Sequence, residues 1–212
     1  SEHFRFERSA EGGASDPDSQ EEFYGLIEGE GESSGNRPSS LSGLSTGSVP
    51  RILAENLRKP EHQLRFVNQV YGFFRWQRFR SEASDISELI EFHSHQKLTL
   101  LAHDPSRKNE LGHMLANPSE ELEFEAFLDQ YGNLYRSAFR TVPTRERHFN
   151  VLEHLYGYLS ELLPGDQRSA VLETIRAFHR GEVSLSEPIR VLKNHFDGRS
   201  IEWVNRQSYL NP

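Results

Sequence analysis

From Pro60 onward, apolar residues return every three or four positions, and a residue suited to opening a helix stands before most of these runs. A chain so patterned is built for helices. The first run sets Leu64, Val67, Tyr71 and Phe74 on one face of a helix that Pro60 opens and that ends near Phe79. Ser84 or Asp85 caps a second, in which Ile86, Leu89, Ile90, His93, Lys97 and Leu101 recur at helical steps up to about His103. Asp104-Pro105 reads as a cap followed by a first-turn proline for a short third helix, and Asn117-Pro118 repeats the device for a long fourth. The fourth carries apolar residues from Leu122 to Phe139, a set broad enough to predict burial on more than one side.

Pro143-Thr144 opens a fifth helix that Pro164-Gly165 stops, residues 166–180 form a sixth ended by Gly181, and residues 187–196 form a seventh with Ser186 as its cap. No run alternates apolar and polar residues in a way that calls for a strand. The expected fold is therefore all-α, a compact orthogonal or bundle-like domain of about seven helices. Residues 201–212, with Trp203, Tyr209 and Leu210, are expected to pack back on it.

The start of the chain differs in kind. Residues 1–50 hold 3 Lys and Arg against 10 Asp and Glu, whereas the remainder holds 21 against 22, so nearly all of the net charge of −8 sits in the first quarter. With its Ser/Gly-rich stretch over residues 33–48, this segment has too little apolar surface to offset the entropy of ordering, and residues 1–56 are expected to be a disordered acidic tail. Phe23, Tyr24, Leu26 and Ile27 form its one sticky spot. A nearly neutral body does not carry the basic footprint usual for nucleic-acid binding.

The chain has no cysteine, which excludes disulfides, thiolate zinc sites, cysteine nucleophiles and cysteine-ligated iron–sulfur clusters. It shows neither a secretion signal nor an apolar run of membrane-spanning length, and a cytoplasmic location without membrane contact is expected. Glycine-rich phosphate loops, serine elbows and zinc motifs are all missing. Ten histidines are many for this length, but their spacing brings together no set of three ligands, so neither metal nor cofactor is expected.

Two patterns carry chemistry. His93 and Lys97 share a helix face, as do Arg147, Asn150 and His154, and an imidazole beside cations suits a phosphate or carboxylate. A pocket gathering His93, Lys97, Arg147 and His154 would make a small enzyme acting on an anionic substrate, with His93, Lys97 and His154 as catalytic candidates. The second pattern is arginine-rich. Arg75, Arg78 and Arg80 interleave with Phe73, Phe74, Trp76 and Phe79, while Arg136, Arg140, Arg145 and Arg147 follow farther on. Arginines that grip phosphates beside rings that stack on bases describe single-stranded RNA recognition.

Phe92-His93 through Lys97 and Leu100-Leu101-Ala102-His103 resemble the start of the YbgA-like domain family. Arg147-His148, Asn150-Val151-Leu152, His154-Leu155 and Gly157-Tyr158 resemble its central signature. Pro188, Leu192-Lys193, Asn205-Arg206-Gln207 and Tyr209-Leu210-Asn211-Pro212 resemble its last part. The likeness covers residues 84–212 and makes residues 57–83 a junction helix. Members of this family occur alone or behind a thiouracil desulfurase domain that uses cysteines to hold an iron–sulfur cluster. This cysteine-free chain departs from the fused pattern, so that activity is not carried over.

The resemblance implies a non-catalytic accessory domain that grips tRNA for a desulfurase or another enzyme partner. Its expected anion-binding residues are Arg75, Arg78, Lys97, Arg140, Arg145, Arg147, Lys193 and Arg206. A scaffold recruited through the acidic tail is a further alternative.

Overall fold

The computed structural model describes residues 3–8, 22–28, 50–53, 56, 58–118, 122–197, 199 and 201–211. They fall into two units, residues 1–82 and 83–212. The expectation of a disordered tail falls mostly on residues outside those described.

No strand is expected from the sequence, and the first unit contains three. β1 (His3–Arg8), β2 (Glu22–Glu28) and β3 (Arg51–Leu53) form an antiparallel sheet in chain order, with Phe4 opposite Ile27 and Phe23 opposite Ile52. Phe4 and Phe6 alternate with charged residues, but two apolar positions are too few to stand out in an acidic, glycine-rich context. Helix α1 (Pro60–Glu82) runs three residues past the expected Phe79, and its Phe66 and Val70 pack with Ile52 of β3.

The second unit is all-α. Helices α2 (Ile86–His103), α3 (Pro105–Ala116), α4 (Phe124–Ala138), α5 (Arg145–Ser160), α6 (Gly165–Arg180), α7 (Ser186–Phe196) and the single turn α8 (Glu202–Asn205) follow one another. Asp85 caps α2 by accepting from the Ser87 and Glu88 N–H groups, and Glu88 reaches back to the Ser84 N–H at 2.7 Å. Helix α4 opens at Phe124, later than Asn117-Pro118 suggests. Its buried residues Phe127, Leu128, Tyr131, Gly132, Tyr135 and Ala138 form one stripe, so it buries a single side and not several.

Helix α2 lies between two apolar assemblies. Its Leu98 and Ala102 join Leu152 and Leu155 of α5, Ile175 of α6, Leu192 of α7 and the returning Val204 and Leu210. Elsewhere on α2, Phe92 meets Tyr135 of α4 and His103 meets Phe139, which follows α4, as tilted ring pairs 5.2 and 4.8 Å apart.

Helix α6 ends on Gly181 in the left-handed region, at φ 84°. A side chain is disfavoured in that conformation. Gly181→Ala is expected to destabilise the domain by about 1 kcal/mol, read as a lower urea midpoint with unchanged slope.

Candidate anion-binding cleft

Asp104 ends α2 and starts α3. Its N–H donates to the Leu100 carbonyl at 2.8 Å, while its carboxylate accepts from the Ser106 and Arg107 N–H groups at 3.1 Å. With Pro105 at the first helical position, this one residue makes the whole connection. The corner is braced from α5, where Arg147 Nη1 donates to the His103 carbonyl at 2.5 Å. A helix end otherwise leaves such carbonyls without partners.

Beyond the corner, α2 and α3 flank a cleft of about 610 Å³. It is lined from Lys97 back to Ile90 on one helix and from Lys108 on to Ala116 on the other. The chain therefore reverses at Asp104, and residues farther from the corner on α2 meet residues farther from it on α3. His93 lies opposite Gly112, where an added Cβ would stand 3.9 Å from His93 Nε2. Lys97 and Lys108 lie nearer the corner, Ile90 and Leu115 farther from it.

The electrostatics of the corner end are one-sided. No Asp or Glu is among the described residues that line the cleft, and Lys108 Nζ donates only to a neutral group, Asn109 Oδ1, at 3.2 Å. Burial pushes the Lys108 ammonium below its ordinary pKa, and the charge of Lys97 pushes it the same way. His93 Nδ1 and the Tyr131 hydroxyl are hydrogen-bonded at 2.8 Å, which leaves Nε2 on the Gly112 side. Burial, with the charges of Lys97 and Lys108 behind it, lowers His93 to about 4. The imidazole is neutral at pH 7 and offers one polar nitrogen beside two ammonium groups.

The predicted pocket of His93, Lys97, Arg147 and His154 is not assembled as expected. His93 and Lys97 line the cleft, whereas His154 is exposed on α5 and Arg147 is committed to the His103 carbonyl. The expected arginine surface is likewise partly consumed by packing. Arg145 donates to the Phe178 carbonyl at 2.6 Å and lies over the Phe178 ring at 5.0 Å. Arg206 pairs with Glu91 at 3.0 Å and with Glu202, and Lys193 donates to Asn211 Oδ1 at 3.1 Å. Arg78 and Arg140 are exposed, and Arg75 lies 5.7 Å from the centre of the Tyr71 ring.

Base stacking needs open rings. Phe73 and Trp76 are only 1% and 2% exposed, which makes them core residues.

Lys108, Asn109 and Gly112 were absent from the residues expected in a site. The signal that finds them is the Asp104-Pro105 corner itself, because a one-residue connection brings the first turns of α3 beside the last turns of α2.

Residues 97–212 match the model of a family described as Protein of unknown function (DUF1722). The chain belongs to this family. Over 146 residues it is 26% identical to the uncharacterized protein YbgA of Escherichia coli (strain K12), an alignment spanning 67% of this chain and 84% of that protein. No solved structure matches. The matched part of the DUF1722 domain begins at Lys97 and contains the α3 wall of the cleft. No described helix is long and apolar enough to cross a membrane, and no three His, Asp or Glu among the described residues stand together as metal ligands.

Proposed function

We propose that this DUF1722 domain is a binding module for an anionic ligand, which it seats between Lys97 and Lys108 in the α2–α3 cleft. The observation that carries this reading is the pair of ammonium groups facing one cleft with no carboxylate among its described lining. Two like charges held close repel, and an anion entering between them removes that repulsion while gaining charge-assisted hydrogen bonds. Neutral His93 adds a hydrogen-bonding nitrogen without a third positive charge. With a pKa of about 4 it is a weak base at pH 7, which favours binding over proton transfer.

Heat unfolding in the presence of inorganic phosphate tests the reading. Phosphate is expected to raise the Tm of the wild-type protein, as any ligand of the native state does, and to have little effect on Lys97→Ala or Lys108→Ala. An identical response of wild type and variants sinks the proposal.

A second reading keeps the tRNA partner, with the phosphate supplied by an RNA strand and the domain acting as accessory to a desulfurase or another enzyme. It is favoured by Lys97 lining the cleft while Arg140 of the same unit remains exposed. Salt-sensitive binding to bulk tRNA that weakens on Lys97→Ala is then expected in an electrophoretic assay, and no retardation at low salt overturns it.

A further inference from the structure

Resting on the anion-binding reading above, we infer that the cleft takes an organic phosphomonoester, with its phosphate between Lys97 and Lys108 and its apolar body against Ile90 and Leu115. The register of the two helices separates charge from apolar surface along the cleft. Its corner end presents two ammonium groups, its middle presents His93 Nε2 over Gly112, and its far end presents aliphatic side chains. Ile90 is 48% exposed, large for an isoleucine on a helix whose other apolar residues are mostly buried. An exposed aliphatic residue at the mouth of a cleft is suited to covering the apolar part of a ligand.

Size and charge narrow the class. From Lys97 to Ile90 is seven residues, or roughly 10 Å of helix rise, the length of a phosphate joined to one ring system and too short for a polymer strand to lie wholly inside. Two ammonium groups compensate the two charges of a phosphomonoester, whereas a phosphodiester or a carboxylate brings only one. The open backbone at Gly112 leaves room for the linking atoms beneath His93, where a larger side chain would close the middle of the cleft.

Calorimetric titration with four probes tests this: inorganic phosphate, 1-naphthyl phosphate, its methyl diester, and neutral 1-naphthol. 1-Naphthyl phosphate is expected to bind at least about tenfold tighter than inorganic phosphate, since the ring adds apolar burial. The singly charged diester should be weaker than the monoester by roughly tenfold, and naphthol should show no saturable binding. Ile90→Ser, at an exposed position, should weaken 1-naphthyl phosphate by about fivefold and leave inorganic phosphate unchanged. Lys108→Ala should weaken both phosphates. Heat unfolding of each variant confirms that it is folded.

Equal affinity for inorganic phosphate and the naphthyl ester, or no effect of Ile90→Ser, overturns the inference while leaving the anion site standing. Equal affinity for diester and monoester overturns the dianion requirement on which the class rests. Naphthyl phosphate binding that is indifferent to both lysine variants, or no binding of any phosphate, removes the inference and the anion site together.

Discussion

Acidifying the DUF1722 domain from pH 7 to pH 4 is expected to cost it several kcal/mol of stability, most of it between pH 6.5 and pH 4. Burial lowers both His93 and His148 from an ordinary 6.5 to about 4. For His93 the charges of Lys97 and Lys108 act in the same direction, and Tyr131 is its hydrogen-bond partner. For His148 the electrostatic interaction with His103 acts in the same direction as burial, while the Tyr209 hydroxyl lies 2.8 Å from Nδ1 and the Phe178 ring stands edge-on to it.

The sign follows from the proton count. Below pH 6.5 an unfolded chain protonates both imidazoles, whereas the folded domain keeps them neutral until about pH 4. The unfolded state therefore binds more protons throughout that window, and stability falls as pH falls. Both contributions are fully present above 6.5 and lost by about 4. A shift of this size corresponds to about 3 kcal/mol per histidine, a large share of the roughly 5 to 15 kcal/mol that holds a domain folded. Urea midpoints at pH 7, 5.5 and 4.5 measure it, and the double variant His93→Gln, His148→Gln should show a flatter profile. A wild-type midpoint that stays level from pH 7 to pH 4.5 refutes the expectation.

The two histidines also show what a sequence conveys and what it withholds. Helix faces were legible because periodicity and burial have the same cause, and caps were legible because Asp85 and Asp104 satisfy N–H groups only one turn away. His93 and Lys97 share a face for the same local reason. Beyond local range the pattern goes silent. Nothing near Arg147 in the chain says that its guanidinium will reach the His103 carbonyl, 44 positions earlier, so a residue suited to phosphate became a brace for the cleft. His154 is exposed on α5, and no α5 residue is among the described lining of the cleft. The strands were missed because their pairing links Phe4 with Ile27 across a polar stretch, and neither partner carries a strong signal by itself.

Gln207→Leu is expected to destabilise the second unit by about 3 kcal/mol, lowering Tm by roughly 10 °C, although the substitution roughly conserves side-chain size. Gln207 is completely buried. Its Nε2 donates to the Ser94 carbonyl at 2.8 Å, and its Oε1 accepts from the Leu98 N–H at 3.2 Å. Those are the two backbone groups that an α-helix pairs at i and i+4, so one carboxamide serves the middle of α2 from a segment more than a hundred residues later. Ser208 continues the seam, its N–H donating to the His95 carbonyl at 3.0 Å and its hydroxyl bonding Gln96 and Thr99 at 2.9 and 2.6 Å. Trp203 Nε1 donates to Ser94 Oγ at 2.8 Å.

Leucine fills the space but makes neither hydrogen bond, and two buried hydrogen bonds worth about 0.5 to 1.5 kcal/mol each supply the expected loss. Gln207→Glu separates the two halves of the contact, because a carboxylate still accepts from Leu98 but cannot donate to Ser94. It should therefore be at least as harmful as leucine at pH 7. The seam runs along the stretch of α2 that carries His93 and Lys97, so a Gln207→Leu protein that remains folded at low temperature should also bind phosphate less tightly, without any change in the cleft lining. A Gln207→Leu urea midpoint within error of wild type would show that α2 holds its shape alone, and that the C-terminal segment packs on it without supporting the site.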